Sequence, residues 1–222
     1  MPVLLHVVIV LAVSYLLGAI PFAVIVGRIF FHVDIRTHGS GNAGATNVMR
    51  VLGVKAAIAV LALDMLKGAA AVCLAFSWPP AQLSSTGKDW VLIGAALAVV
   101  LGHMYSLYIG LGGGKGVATA AGAMLPIMPL GWCILLGTFI FVVVLSRMVS
   151  LGSIVMAAVF PVVTLALYPE HSALVTFSFV AAVLVIWRHR ANIGRIVRGQ
   201  EAKIDFRRPT GPGSSSDRED GA

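Results

Sequence analysis

Long runs of apolar residues fill most of the chain, and short polar segments interrupt them. A helix needs about 20 apolar residues to cross the hydrocarbon core of a bilayer, and most of the runs have about that length. The runs and their glycine, proline and polar breakers predict helices over 3–30, 53–77, 90–110, 116–128, 130–147, 151–168 and 172–188. The pattern therefore predicts an all-α, polytopic membrane bundle of seven transmembrane helices, and it leaves open whether the short fourth helix crosses completely.

The composition excludes a soluble domain. Hydrophobic residues make up 59% of the 222 residues and charged residues only 11%, whereas soluble domains have about 25% charged residues. We expect one transmembrane domain over 1–208, followed by a disordered tail over 209–222, which is rich in glycine, serine and charge. No histidine or cysteine spacing is typical of a metal site, so we expect neither a metal nor another cofactor.

The basic residues predict the orientation of the bundle. All but Lys67 and Lys88 of the 16 lysines and arginines lie in or directly beside odd-numbered loops, or at and after the end of the last helix. Because lysine and arginine concentrate in cytoplasmic loops, the N-terminus is predicted outside and the C-terminus in the cytoplasm. The net charge of +7 follows from the same asymmetry. Topology and attraction to the membrane lipid bilayer explain this charge with fewer assumptions than nucleic-acid binding.

The first cytoplasmic loop, HGSGNAGATNVMR over 38–50, has the composition of an anion site. Glycines such as Gly41 and Gly44 let the backbone approach an anion closely. Arg50 can hold a phosphate or a carboxylate through two parallel hydrogen bonds. Neutral hydrogen-bonding side chains are supplied by Ser40, Asn42, Thr46 and Asn47. An ordinary flexible connector would not need this combination of residues.

A second glycine-rich loop, GLGGGKG over 110–116, invites comparison with a nucleotide P-loop. That motif needs a glycine where Ile109 stands and a serine or threonine after the lysine, so we reject it. What is left is a nest of backbone amides around Lys115 at the start of a helix, which is a typical anion site. The glycines of this predicted nest are Gly112, Gly113, Gly114 and Gly116.

The segment WRHRANIGRIVRGQEAKI, over 187–204, follows the last predicted span. An electrostatic membrane anchor would need only its basic residues. His189, Asn192 and Glu201 are additional, and they indicate a polar site that the C-terminal segment closes.

Other polar residues are better explained by structural roles. Ser150 follows a tight turn, so we predict that it caps a helix. Asp64 and Lys67 lie three residues apart on one face of a predicted transmembrane helix, so we predict that they pair and support the neighbouring loops.

Three of these segments carry a family resemblance. GSGNAGATNVMR, GHMYSLYIGLGGGKGVAT and HRANIGRIVRGQEAK resemble the three conserved blocks of the bacterial PlsY-type, acyl-phosphate-dependent glycerol-3-phosphate acyltransferases. The resemblance implies an enzyme of phospholipid synthesis in the bacterial cytoplasmic (inner) membrane, with its active site facing the cytoplasm. It implies acyl transfer from acyl phosphate to the 1-hydroxyl of sn-glycerol 3-phosphate, which gives lysophosphatidic acid and phosphate. It also implies a functional link to the enzyme that produces acyl phosphate.

The same resemblance implies roles for individual residues. Ser40 and Arg50 match essential residues of the first block, and the glycines around Lys115 match the glycerol 3-phosphate site. Ser153 matches a serine near the phosphates. The polar residues of the third block are matched by His189, Asn192 and Glu201. Direct acyl transfer and a covalent intermediate on Ser40 both stay open at this point.

Two other classes of protein are less consistent with the sequence. A transporter of an anionic solute would have broken helices at mid-membrane in two corresponding halves, but the polar clusters here gather at one face and no internal repeat occurs. A CDP-alcohol phosphotransferase would need paired aspartates for a divalent metal ion, and the chain has no such cluster.

Overall fold

The computed structural model of the protein describes residues 2–204, and their regular structure is helical. The predicted disordered tail over 209–222 lies outside the described residues. The all-α prediction is confirmed for the described part of the chain. The helices are α1 (Val3–Ala19), α2 (Phe22–Phe31), α3 (Ala45–Leu52), α4 (Val54–Ser77), α5 (Ser85–Met104), α6 (Val117–Met124), α7 (Pro129–Ser146), α8 (Val149–Leu167), α9 (Ser172–Arg188) and α10 (Arg190–Val197).

Within residues 2–204, five helical segments are long and apolar enough to cross a membrane. These are α1 together with α2, then α4, α5, α7 and α8; α9 with α10 adds a sixth as a pair bent by 59°. The predicted fourth span corresponds to α6, which has only eight residues. At 1.5 Å per residue, α6 is about 12 Å long, so it cannot cross a hydrocarbon core of about 30 Å by itself. Seven complete spans and the orientation of the termini therefore stay predictions.

The first predicted helix is two helices that meet at Pro21. The proline ring has no N–H and collides with the preceding turn, so α1 ends at Ala19 and α2 begins at Phe22. The break frees two carbonyl groups inside an apolar bundle, where an unpaired polar group is costly. Side chains from α4 and from the loop after α5 satisfy both groups. Ser106 Oγ donates to the Ala19 carbonyl, and Lys67 Nζ donates to the Ile20 carbonyl at 2.9 Å.

A short amphipathic helix was not predicted within the first polar loop. Residues Ala45–Leu52 form α3, which ends at Gly53 in a conformation with φ of +91° that suits glycine. Val48 and Leu52 of α3 are buried against Ile35 and Val60. The loop is therefore attached to the bundle by an apolar face.

Glycines let neighbouring helices approach until their backbones touch. A Cβ atom at Gly18 of α1 would collide with a carbonyl of α5, and one at Gly102 of α5 would collide with a carbonyl of α1. Gly68 of α4 and Gly122 of α6 have the same relation. Helices in lipid associate largely through such close packing at small residues. α4 packs on α6 as a result, while α8 packs between α7 and α9, and a cavity lies between these two groups.

A buried charged cluster lies beside the cavity. Lys67 Nζ is 2.7 Å from Asp64 Oδ1 and 3.0 Å from His103 Nδ1, and all three residues are buried. The predicted Asp64–Lys67 pair is therefore confirmed. Because Lys67 also holds the carbonyl at the α1–α2 break, this cluster joins α4, α5 and the first span.

We predict that Lys67→Met strongly destabilises the protein. The substitution removes the ammonium that pairs with the buried Asp64 and donates to the Ile20 carbonyl, and breaking a buried ion pair on one side costs about 3–5 kcal/mol. Thermal unfolding in detergent should show a clear fall in Tm.

Lys55→Met is the matched control, because Lys55 is exposed on the same helix. The double variant Asp64→Asn with Lys67→Met should recover part of the lost stability. Equal Tm values for Lys67→Met and Lys55→Met would contradict the assignment.

Candidate active site

A cavity of about 480 Å³ has one polar end and one apolar end. Loops and helix ends supply the polar wall, which includes Ser40, Asn42, Gly44, Thr46, Asn47, Arg50, Lys115, Gly116, Ser150, Ser153, Arg188, His189, Asn192, Arg195 and Glu201. Transmembrane helices supply the apolar wall, which includes Leu61, Met65, Met124, Trp132, Leu135, Phe139, Met156 and Phe160. Such a cavity suits a ligand with an anionic head and a hydrocarbon chain.

The first loop is shaped by the side chain of Asn47. Its Oδ1 accepts the Ser40 N–H at 2.8 Å, and its Nδ2 donates to the carbonyls of Ile35 and His38 at 3.0 Å each. Gly39 has a φ of +59° and leaves no room for a side chain beside Asn47. Asn47 is only 2% exposed, so its clearest role here is to hold the loop that presents Ser40.

The other predicted residues of the first loop divide into two groups. Asn42, Gly44, Thr46 and Arg50 line the cavity, and Arg50 Nη2 lies 4.0 Å from Glu201 Oε1. Gly41 forms an exposed turn with a φ of +68° and lies outside the lining. Its predicted contact with substrate stays a prediction.

Three of the glycines around Lys115 pack against the end of α5. The Gly114 N–H donates to the His103 carbonyl at 3.2 Å, and the Ser106 N–H donates to the Gly112 carbonyl at 3.0 Å. A Cβ atom at Gly113 or Gly114 would collide with His103. The structure thus places Gly112, Gly113 and Gly114 outside the cavity lining, and their part in substrate binding stays a prediction. Lys115 and Gly116 do line the cavity.

A chain of hydrogen bonds connects the second loop to the C-terminal segment. Lys115 Nζ donates to Asn192 Oδ1 at 2.5 Å, and Asn192 Nδ2 donates to Glu201 Oε1 at 2.7 Å. Arg195 Nε donates to Glu201 Oε2 at 2.7 Å. Ser150 Oγ also donates to the Glu201 carboxylate, at 2.8 Å. Residues from four separate segments, namely the loop before α6, helix α8, helix α10 and the segment after it, therefore form one polar cluster.

The predicted capping role of Ser150 is wrong. Helix α8 begins at Val149 with Met148 at its N-cap, and no side chain caps it. Ser150 instead lies inside the first turn and faces Glu201, because the last described segment returns to α8 there: the Ile204 N–H donates to the Arg147 carbonyl at 2.8 Å. Ser153 lies one turn further along α8. It is 3% exposed, lines the cavity and donates to the Val149 carbonyl at 3.0 Å.

The polar end of the cavity is positively charged. Each carboxylate in the lining already has a basic partner, since Asp64 pairs with Lys67 and Glu201 pairs with Arg195. Hydrogen bonds from Asn192, Ser150 and Arg195 outweigh the effect of burial and lower the pKa of Glu201, which keeps it ionised. The basic side chains of the lining are Arg50, Lys115, Arg188, Arg190 and Arg195. Their excess over the carboxylates favours an anionic ligand.

Burial affects the charge of Lys115. It lowers the pKa of this lysine from 10.5 to about 8, Glu201 opposes the shift, and the neighbouring Arg195, Arg50 and Arg188 add to it. Lys115 is a cation at neutral pH and loses its charge above about pH 8.

His189 is neutral at the same pH. Burial lowers its pKa to about 4, the Lys115 cation lowers it further, and the hydrogen bond to the Val185 carbonyl opposes both effects. Because a carbonyl only accepts, His189 Nδ1 donates this bond, at 2.8 Å. The lone pair of Nε2 is therefore available to accept a hydrogen bond.

Several polar residues of the cavity lining, among them Ser150, Arg188, Arg190 and Arg195, were not predicted as site residues. Arg188 and Arg195 belong to the basic segment that we explained by membrane topology, and Ser150 was assigned to a helix cap. The basic residues of WRHRANIGR could have been a signal, because Arg188 and Arg195 lie one helical turn on either side of Asn192.

Among residues 2–204, no group of three or more His, Cys, Asp or Glu side chains could hold a metal ion.

Comparison with known proteins identifies the family of the chain. The family model described as "Glycerol-3-phosphate acyltransferase" matches residues 8–199. The chain belongs to the glycerol-3-phosphate acyltransferase family. A relative of that name from Synechocystis sp. is 44% identical and covers 87% of this chain and 89% of its own. Another from Chlorobium phaeobacteroides (strain BS1) is 40% identical and covers 90% of this chain and 97% of its own.

Two solved structures share the fold. The crystal structure of PlsY (YgiH), an integral membrane glycerol 3-phosphate acyltransferase, in its glycerol 3-phosphate form has a TM-score of 0.80 and 37% identity. The match covers 90% of this chain and 96% of the PlsY chain. The lysophosphatidic acid form of the same protein has a TM-score of 0.78. The resemblance to PlsY-type acyltransferases is therefore confirmed, and the protein is a multi-pass membrane acyltransferase.

We predict that Asn47→Ala lowers the kcat of this glycerol-3-phosphate acyltransferase at least tenfold. The substitution removes three hydrogen bonds and leaves the buried Ile35 carbonyl unpaired, which costs about 1–3 kcal/mol, so Ser40 loses its fixed position. Initial rates of lysophosphatidic acid formation provide the measurement.

Thr37→Ala is the control for this substitution. Thr37 is exposed in the same loop, and its Oγ1 donates to the Asp34 carbonyl and also bonds to Nδ1 of the exposed His38. Rates within a factor of two of the unchanged protein for both variants would show that Asn47 does not hold the loop in its active form.

Proposed function

We propose that the protein transfers a fatty acyl group from acyl phosphate to the 1-hydroxyl of sn-glycerol 3-phosphate, giving 1-acyl-sn-glycerol 3-phosphate (lysophosphatidic acid) and inorganic phosphate. The observation that carries this proposal is the continuity of one cavity, with Lys115 and Arg50 at one end and apolar walls from α4, α6, α7 and α8 at the other. The cationic end suits two phosphates, and the apolar end suits an acyl chain. The two ligand forms of PlsY, with glycerol 3-phosphate and with lysophosphatidic acid, support the same acceptor and product.

The donor makes a covalent enzyme intermediate unnecessary. Acyl phosphate is a mixed anhydride, so its carbonyl carbon is activated and its phosphate is a good leaving group. In direct transfer, the acceptor's 1-oxygen bonds to the carbonyl carbon, and the bond between that carbon and the phosphate oxygen breaks. The hydroxyl proton passes to a phosphate oxygen of a substrate. Holding both reactants in this geometry can lower the barrier by about 7–11 kcal/mol.

The residues of the polar wall divide this work. Ser40 and Lys115 contact the acyl phosphate and the developing negative charge, where fixed donors have their largest effect. Arg50 holds a phosphate through its planar guanidinium. Asn192 and His189 orient the acceptor hydroxyl. Supporting contacts come from Gly41, Asn42, Gly44, Thr46, Asn47, Gly112, Gly113, Gly114, Gly116, Ser153 and Glu201.

The low pKa of His189 supports an orienting role for this residue. A histidine with a pKa of about 4 is a weak base at neutral pH, because an effective general base has a pKa close to the working pH. Its Nε2 lone pair can still accept a hydrogen bond from the acceptor hydroxyl and fix its direction. A substrate phosphate oxygen then takes the proton.

The location follows from the same proposal. We place the polar end of the cavity at the cytoplasmic face of a bacterial inner membrane, where soluble glycerol 3-phosphate is available. The acyl phosphate comes from a functionally linked enzyme, and the lipid product leaves into the bilayer. The reaction needs no cofactor.

The donor is the part of the proposal that an assay tests most simply. Purified protein receives glycerol 3-phosphate with palmitoyl phosphate or, as the control donor, palmitoyl-CoA. We expect release of inorganic phosphate and formation of lysophosphatidic acid with palmitoyl phosphate only. Without acceptor, labelled acyl phosphate should leave no acyl group on the protein.

Transfer from palmitoyl-CoA but not from palmitoyl phosphate would overturn the choice of donor. A labelled acyl group found on Ser40 would show a two-step reaction through an acyl-enzyme and would contradict direct transfer.

We predict that kcat/KM falls above about pH 8. Lys115 carries its charge below its pKa of about 8 and loses it above. The descending limb of the pH profile should therefore approach a tenfold loss of kcat/KM for each further pH unit. The substrate phosphates do not titrate in this range, since their second pKa is about 6. Initial rates between pH 6.5 and 9.5 provide the measurement.

Lys115→Arg is the control for the origin of this limb. An arginine stays protonated across the range, so the limb should disappear even if the overall rate is lower. If kcat/KM falls at the same pH in both proteins, a group other than Lys115 causes the fall.

A further inference from the structure

Arg188 lies at the phosphate end of the cavity, and the mechanism above does not use it. It is the last residue of α9, and its Nη2 donates to the Gly113 carbonyl at 3.2 Å and to the Gly114 carbonyl at 2.9 Å. Its guanidinium carbon lies 5.5 Å from the centre of the Tyr105 ring. Arg188 thus connects α9 to the glycine loop immediately before Lys115.

We propose that Arg188 is a positioning residue for Lys115: it fixes the peptide plane from which Lys115 extends and neutralises two carbonyl oxygens at the phosphate end of the cavity. This inference deepens the proposed function, because it concerns the same phosphate site.

The covalent geometry of the loop carries the first part of the inference. A peptide group is planar, so the position of the Gly114 carbonyl oxygen fixes the plane that also contains the N and Cα atoms of Lys115. The residues before this plane, Gly112 to Gly114, have no side chains and therefore few conformational restraints of their own. On one side, the Gly114 N–H is held by the His103 carbonyl. On the other side, Arg188 holds the two carbonyls.

Electrostatics carries the second part. Carbonyl oxygens are the negative ends of peptide dipoles, and two of them immediately before Lys115 would repel a phosphate. The Arg188 guanidinium donates hydrogen bonds to both carbonyl oxygens, and it also lines the cavity. A lysine would not replace it well, because its ammonium is a point charge, whereas the guanidinium is planar and presents several fixed donors.

A direct contact between Arg188 and a substrate phosphate is the competing role. Its Nε is buried and has no hydrogen-bond partner among the described residues. The two roles differ in their kinetics. A direct phosphate ligand contributes to substrate binding and its loss raises KM, whereas a residue that aims Lys115 contributes mainly to the transition state and its loss lowers kcat.

Steady-state kinetics of the Arg188→Gln variant test whether Arg188 positions Lys115. We expect kcat to fall at least tenfold while the KM values for glycerol 3-phosphate and palmitoyl phosphate stay within threefold. Arg188→Lys should recover only part of the loss. The control is Arg198→Gln, since Arg198 is exposed, lies outside the cavity and bonds to Gln200; its rates should stay within a factor of two.

Chemical labelling of Lys115 provides a readout that does not depend on turnover. Reductive methylation needs the neutral amine, so the extent of labelling against pH, read by peptide mass spectrometry, reports the charge of Lys115. The charged groups around it are Glu201, Arg195, Arg50 and Arg188, with His189 beside them. Removing the Arg188 cation should move the midpoint of labelling to higher pH, and Arg198→Gln should leave it unchanged.

The kinetic and labelling results distinguish a positioning role of Arg188 from a direct phosphate contact and from a purely structural role. A tenfold or greater rise in either KM with unchanged kcat would overturn the inference in favour of a direct phosphate contact. A loss of Tm and of active fraction with an unchanged labelling midpoint would overturn it in favour of a purely structural role. If acyl phosphate is not the donor, the labelling midpoint still tests the contact between Arg188 and the Lys115 loop, so the two failures are distinguishable.

Discussion

The hydrogen bonds from Lys115 through Asn192 to Glu201 are the contact on which the rest of the site depends. They connect a loop between α5 and α6, the helix α10 and the last described segment. Glu201 is only 6% exposed, and a buried carboxylate is stable only when its oxygens are paired. Its partners are Asn192, Arg195 and Ser150. The buried charge therefore requires all these segments to meet, and their meeting forms the polar end of the cavity.

The apolar bundle imposes a second requirement, because freed backbone groups have no water to bind. The break at Pro21 is accommodated because Lys67 of α4 and Ser106 of the loop after α5 reach its carbonyls. After α2 the chain enters the first polar loop. Asn47 then fixes that loop from within. Polar side chains that contact no substrate thus determine where the substrate-facing ones lie.

Hydrophobic runs predicted the order of the long helices, because a bilayer demands about the same length from each span, but the number of complete spans stays a prediction. The pairing of Asp64 with Lys67 was also predictable, because both lie on one helix. Ser150 was misassigned because its partner, Glu201, is 51 residues away. The glycines before Lys115 were expected to face an anion, yet most of them pack against His103. Contacts between distant segments decide such details, and local composition does not contain them.

The central claim is that one cavity holds the phosphates beside Lys115 and the acyl chain between the transmembrane helices. The most direct measurement is a structure of the protein with glycerol 3-phosphate and a non-hydrolysable acyl phosphonate. The account predicts phosphonate oxygens at about 2.7–2.9 Å from Lys115 Nζ, with the hydrocarbon chain against Leu135 and Phe139. A phosphonate bound outside this cavity, with Lys115 contacting neither ligand, would contradict it.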